Sequence, residues 1–254
     1  MTPERRRAPQ VCLNGARTRA EHPRLPVSPA ELAAAARDSV AAGAGDIHLH
    51  PKDRDGRDTL AAPYVAAALT AVRAAVPGIP VGVTTGAWAT PDPEHRAALV
   101  RGWTVLPDHA SVNWHEDGAD LVAEALLDRG VGIEAGLYSG TDAARRFLAR
   151  PSADGVLRVL AEVTDTAPAT AAALLAELRA LGTAVPILLH GEDGSAWPVL
   201  RLAAAEGLSV RIGLEDALHL PDGTPAADNA ELVRRAREFI ERPIQGPRDA
   251  HRPS

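Results

Sequence analysis

Eight short β-branched or apolar runs recur along this 254-residue chain, and an alanine- or leucine-rich helical stretch follows each of them. The runs are Val11 to Ala16, Asp46 to Pro51, Pro80 to Gly86, His109 to Trp114, Val131 to Leu137, Val156 to Val163, Pro186 to His190 and Ser209 to Leu214. Each strand and its helix take roughly 25 to 35 residues, the size of a βα unit. Eight such units in sequence predict a (β/α)8 TIM barrel, with a doubly wound open sheet as the alternative. The barrel is preferred because no glycine-rich phosphate turn of the dinucleotide or P-loop type follows an early strand. No linker or composition shift divides the chain, so residues 1–254 read as a single domain, with flexible tails at 1–10 and 243–254.

The helix boundaries carry their own signals. Ser28-Pro29-Ala30-Glu31 is a capping box with proline at the first helical position, and Gly43 and Gly45 close that helix. Val65, Leu69, Val72 and Val76 form one apolar stripe that Pro77-Gly78 ends. Asp228 caps a last helix, with Glu231 three residues on and Leu232, Ala236, Phe239 and Ile240 as its buried face.

Charge and composition exclude several functions. The 27 Lys and Arg against 33 Asp and Glu give a net charge of −6, which leaves no electrostatic footprint for nucleic acid or an anionic membrane. No run of ~18 apolar residues could span a bilayer. Cys12 is the lone cysteine, so an intrachain disulfide and a Cys-rich zinc site are excluded, and the expected location is the cytoplasm.

In a barrel, functional residues belong at the C-terminal ends of the strands. His48 and His50 are two apart on the second strand and therefore share its inward face. Two close imidazoles would repel if both were protonated, and a shared divalent cation accounts for the pair better than two hydrogen-bonded core histidines. On the last strand Arg211, Gly213 and Glu215 share a parity, so Glu215 stands at the strand's end above an inward Arg211. A buried arginine needs a partner, and Asp216 or Glu134 on the fifth strand can supply it. His48, His50 and Glu215 together make a three-ligand site with an open position, the usual composition of catalytic zinc, and one Zn2+ per chain is the expected cofactor. Further polar groups at strand ends are Asn14, Arg17, Thr84, Thr85, Gly86, Ser111, Asn113, Glu134 and His190, the last either a fourth ligand or bonded to a neighbour.

These residues resemble those of the β-keto acid cleavage enzyme family. The likeness rests on Asn14-Gly15-Ala16, Leu25-Pro26-Val27-Ser28-Pro29 with Glu31, and Ala44 to His50 with Asp53 and Asp55-Gly56-Arg57. It continues through Val83-Thr84-Thr85-Gly86, Ala110-Ser111-Val112-Asn113 and Val210 to Asp216. The resemblance implies a zinc-bearing (β/α)8 barrel in which a β-keto acid and acetyl-CoA yield acetoacetate and a new acyl-CoA. It implies that His48, His50 and Glu215 bind the metal, that Asp216, positioned by Arg211, is the general base, and that Thr84, Gly86 and Ser111 hold the substrate carboxylate. Thr85, Asn113, Glu134 and Arg17 complete the expected substrate site. Arg17 stands where the amino-substrate member carries an acid, which implies a neutral or anionic substrate tail. A homo-oligomer, dimer or tetramer, is expected from the resemblance alone.

Two departures concern the CoA half. The glycine-rich loop after strand six has no counterpart around Glu162 to Thr166, and His190-Gly191-Glu192-Asp193-Gly194 replaces a basic turn after strand seven. The competing readings are a CoA-independent retro-aldol or retro-Claisen lyase that keeps the metal and Asp216, and a noncatalytic keto-acid-binding barrel. An amidohydrolase-type barrel is less apt, because its histidine pair lies on the first strand.

Overall fold

The computed structural model describes residues 8–149, 155–180, 182 and 185–241. Of the two tails expected from the sequence, residues 1–7 and 243–254 lie outside the described residues, and Gln10 already belongs to the first strand. Eight strands alternate with eight helices. The strands are β1 (Gln10–Cys12), β2 (Asp46–Leu49), β3 (Val81–Thr84), β4 (His109–Asn113), β5 (Gly132–Tyr138), β6 (Val156–Val163), β7 (Ile187–Gly191) and β8 (Arg211–Ile212). The helices are α1 (Pro29–Ala41), α2 (Ala62–Ala75), α3 (Pro93–Arg101), α4 (Ala119–Leu127), α5 (Ala143–Leu148), α6 (Pro168–Ala180), α7 (Ala196–Ala205) and α8 (Asn229–Glu241).

All pairings are parallel, in the order β7-β6-β5-β4-β3-β2-β1-β8. A parallel bridge between Leu188 and Ser209, with Leu189 N–H donating to Ser209 O at 3.1 Å, closes the ring between β7 and β8. The chain is therefore a (β/α)8 barrel. Among the described residues no helix is long and apolar enough to cross a membrane.

The local chemistry explains the boundaries. Ser28 and Glu31 form the capping box at the start of α1. Val65, Leu69, Val72 and Val76 are all buried against the barrel. Five strands, β1 to β4 and β8, are shorter than their apolar runs, and at β1 and β8 specific contacts show why. After β1, Asn14 takes over from the ladder: its amide donates to His50 O at 2.9 Å and its carbonyl accepts from His50 N–H at 2.9 Å. After Ile212 the chain turns, with Asp216 and Ala217 N–H both donating to Gly213 O and Asn229 accepting from Leu214 N–H. A Cβ on Gly213 would stand 1.9 Å from Cys12 O, so only glycine lets β8 approach β1.

Candidate functional site

The strand ends bring His48, His50 and Glu215 together. One nitrogen of each imidazole and a carboxylate oxygen lie within 4.8 Å of one another. His48 Nε2 is 3.8 Å from Glu215 Oε2, and His50 Nε2 is 3.7 Å from Glu215 Oε1. These separations exceed a hydrogen bond and match donors that converge on a common point between them. Glu215 Oε2 is buried with no hydrogen-bond partner, a costly state unless a cation answers it. The donor set therefore fits a divalent metal. Gly15 makes room for this arrangement, since a Cβ there would meet Glu215 Cγ at 2.5 Å.

Protonation favours ligation as well. Burial pushes the His48 imidazole down to about 4 against the pull of Glu215, and the charges of His50 and Arg211 add to the effect, so His48 is neutral at pH 7. Burial opposes ionisation of Glu215, but Arg211 and the two histidines hold its carboxyl well below the usual range. His50 Nδ1 lies 2.8 Å from Asp58 Oδ2. Asp58 is itself held low, despite its burial, by His50 and Lys52. An ionised carboxylate only accepts, so it fixes the proton on Nδ1 and turns Nε2 toward Glu215. Trp88 donates to the same carboxylate at 2.7 Å and stacks on His50 at 5.7 Å. A Cβ on Gly86 would stand 2.2 Å from the Trp88 ring, so that glycine admits the indole. Sequence reasoning missed Asp58 and Trp88, although a carboxylate eight residues beyond an inward histidine is a usable signal for the first.

Arg211 finds its partner in Asp216, with Nη2 to Oδ1 at 2.7 Å and Nε to Oδ1 at 3.1 Å, and also donates to Glu215 at 2.8 Å. Burial lifts Asp216 above the ordinary carboxyl range in spite of Arg211 and His190, with Glu215 adding to the rise. Glu134, the other partner considered for Arg211, is instead wholly buried lower in the barrel. It accepts from Gln10 at 2.9 Å and from Arg158 Nε at 2.6 Å, and lies 3.3 Å from His109 Nδ1. Asp46 completes that group through His109, at 2.9 Å, and through Arg158. Asp46, His109 and Glu134 have metal-like spacing, but the Arg158 guanidinium already joins both carboxylates. Glu134 Oε2 also faces His48 Nδ1 at 3.9 Å, which links this lower group to the histidine pair.

A cleft of about 380 Å³ opens over the site, lined by Arg17, His50, Trp88, Tyr138, Glu192 and Glu215 among others. Arg17 reaches it with its charge already answered by Asp193 at 2.5 Å and Glu21 at 3.2 Å, while its Nε donates to Glu215 O at 2.8 Å. Thr84, Thr85, Gly86, Ser111 and Asn113 are buried at the ends of β3 and β4 beside the histidines. Thr85 donates to Ser111 O at 2.6 Å and Asn113 donates to Glu116 at 2.9 Å. Thr84 Oγ1 accepts from Gly86 N–H at 3.1 Å.

A barrel with its ionisable groups gathered at the C-terminal mouth around an open three-donor point is, by class, a (β/α)8 enzyme. The chain belongs to the beta-keto acid cleavage enzyme family, whose model matches residues 10–251, and it cleaves a carbon–carbon bond. It is 25% identical over 93% of its length, and 93% of the relative's, to the 3-keto-5-aminohexanoate cleavage enzyme of Acetoanaerobium sticklandii. Among solved structures it resembles apo ObcA, with a TM-score of 0.69 and 16% identity over 86% of this chain, which spans 62% of the ObcA chain. The ternary complex of ObcA with a C4-CoA adduct and oxalate gives a TM-score of 0.70 at 16% identity, over 86% of this chain and 64% of that one. The 3-dehydroquinate dehydratase of Aquifex aeolicus VF5 shares the fold at a TM-score of 0.56 and 16% identity, over 91% of this chain and 98% of that one.

Proposed function

We propose that this chain cleaves a β-keto acid in a retro-Claisen reaction, with one zinc ion held by His48, His50 and Glu215. The observation that carries the reading is the convergence of those three donors beside Asp216, a buried carboxylate held by Arg211. Zinc bound there would polarise the keto oxygen as a Lewis acid. Asp216, lifted above the ordinary range, is a stronger base than a surface carboxylate and takes a proton from the carbon between the keto and carboxylate groups. Arg211 keeps it oriented. The hydroxyls of Thr84 and Ser111, beside Gly86, receive the substrate carboxylate, with Thr85 and Asn113 supporting that wall from behind, whereas Glu134, expected in this site, is taken up by Gln10 and Arg158. Because Glu21 and Asp193 answer Arg17, the substrate tail beside it is neutral.

The acceptor implied by the family resemblance is acetyl-CoA, and ObcA has been solved with a C4-CoA adduct. In this chain the wall after β6 and β7 carries Glu162, Asp165, Glu192 and Asp193, which favours a second reading that keeps the metal and Asp216 without CoA.

Metal analysis joined to a substrate panel tests the proposal. About one zinc per chain, lost in His48→Ala, with consumption of a β-keto acid that Asp216→Asn abolishes, is the expected result. Absence of zinc from protein refolded or expressed with it, or full turnover in His48→Ala, would overturn it.

A further inference from the structure

Beside the metal cleft lies a second one of about 260 Å³, between the ends of β6 and β7. The two share Tyr138, Glu192 and Asp193, so they adjoin. In a barrel this is where a phosphate-bearing ligand usually finds helix N-termini and cations. Here acidic side chains stand at both places. Asp165 accepts from Ala167 N–H at 2.8 Å and from Thr170 Oγ1 at 2.8 Å ahead of α6. Glu192 precedes the turn of Asp193 to Ser195 that leads into α7, its backbone carbonyl accepting from Ser195 N–H at 3.0 Å. Among the described residues no lysine or arginine lines this cleft. A CoA diphosphate would meet acidic side chains along this wall.

The cleft instead holds a carboxylate and imidazole pair. His190, on β7, is buried, with Nε2 3.4 Å from Glu162 Oε2 and Nδ1 3.8 Å from Asp216 Oδ1. Glu162 projects from β6 into space left by Gly136, whose Cβ would stand 3.0 Å from Glu162 Oε1. The two make no hydrogen bond in this geometry, but the charge of an ionised Glu162 favours the proton on His190 Nε2 and leaves Nδ1 as an acceptor facing Asp216. The gap of 3.8 Å is too long for a direct hydrogen bond and suits a molecule shared between the two groups.

Resting on the β-keto acid reading above, we propose that the acyl acceptor is water rather than CoA, and that the Glu162–His190 pair is the base that activates it. On this route the carbon between the keto and carboxylate groups keeps its protons, and Asp216 shares the water with His190, whose Nδ1 takes a proton from it as the water oxygen bonds to the keto carbon. The bond from that carbon to the α-carbon then breaks, and its electron pair stays on the α-carbon, which takes the proton back from His190. The products are the acid of the keto side and acetate, so that R–CO–CH2–COO⁻ and H2O give R–COO⁻, CH3–COO⁻ and one proton to solvent. Glu162 positions His190 and touches no reacting atom.

The test uses the full-length, zinc-loaded chain with a panel of neutral-tailed β-keto acids in H2 18O, with and without acetyl-CoA. The products are read by mass spectrometry, and acetyl-CoA binding is measured on the same preparation by equilibrium dialysis. The proposal expects one 18O in the new carboxylate, a rate unchanged by acetyl-CoA, and no saturable acetyl-CoA binding into the millimolar range. It expects kcat to fall about 100-fold or more in His190→Ala. In Glu162→Gln the acidic limb of the pH profile should move as well, which loss of packing alone would not do. Acyl-CoA formed without 18O, or saturable acetyl-CoA binding, overturns the proposal. If no β-keto acid is consumed under either condition, the substrate reading falls, while the dialysis still decides against or for CoA as a ligand. Should His190→Ala not fold, Glu162→Gln and the isotope result carry the test.

Discussion

Two groups of buried ionisable residues lie along the axis of this barrel, and they differ in whether their charges are answered. In the lower group, Asp46 and Glu134 face His109 and Arg158, two anions against two cations. Burial alone would discharge His109, yet Glu134 and Asp46 lift its imidazole to about 10, so both cations are present at neutral pH. In the upper group, Arg211 is, among the described residues, the one guanidinium that faces both Glu215 and Asp216. Buried atoms without hydrogen-bond partners occur in both groups, Glu215 Oε2 and Asp216 Oδ2 here and Glu134 Oε2 and His109 Nδ1 below, so the difference lies in the count of cations. Similar residue types thus serve different ends. A cluster that contains its own counter-cations is structural, and one that lacks them awaits a metal and a substrate.

The contrast is broken most directly at the upper group. Asp216→Asn keeps an acceptor for Arg211 but removes the base, so kcat should fall by about 10² to 10⁴-fold. Steady-state kinetics on the zinc-loaded protein measures it, and a loss below tenfold would remove Asp216 from the chemistry. The lower group should respond in stability instead. Arg158→Met leaves two buried carboxylates facing one imidazolium and should cost about 3 to 5 kcal/mol in denaturant unfolding. Replacing Asp46, His109, Glu134 and Arg158 together by apolar residues of like volume should cost far less, which no metal-binding or catalytic cluster would tolerate.

The lower group also sets a pH dependence. The His109 imidazolium, lifted from an ordinary 6.5 to about 10, stabilises the fold fully below pH 6.5. That contribution, at most on the order of 5 kcal/mol, is lost as the pH climbs through 10. Melting temperature should therefore fall across pH 7 to 10 in the native chain and change less in His109→Gln. The smallest effect is expected one contact away from the metal. Asp58→Asn loses the carboxylate that orients His50, and zinc affinity measured by competition with a chelator should weaken about 10 to 100-fold. An unchanged affinity would mean that packing under Trp88 suffices to hold the ring.

What could be read before folding follows the period of single strands. Eight units gave the barrel, and parity two placed His48 with His50 and Arg211 with Glu215 on inward faces. The capping box of α1 and the apolar stripe of α2 were equally visible, because each is complete within four to twelve residues of one helix and its cap. Contacts between strands were not. Arg211 had two possible carboxylates, and only the closed barrel gave it Asp216. Glu134 meets Arg158 because the register between β5 and β6 shifts at Ile133/Glu134, bringing Glu134 opposite Arg158 rather than Leu157. Asp58 and Trp88 reach His50 from two different loops, and Glu162 reaches His190 across neighbouring strands through space that Gly136 leaves open.

The amino-acid sequence by itself determined the barrel and the inward direction of each donor, since both follow from local backbone geometry and the spacing of side chains along one element. Only the tertiary structure decided which charge answers which. That choice depends on stagger, loop reach and burial, and a buried charge is stabilised by whatever closure of the barrel places within a few ångströms of it.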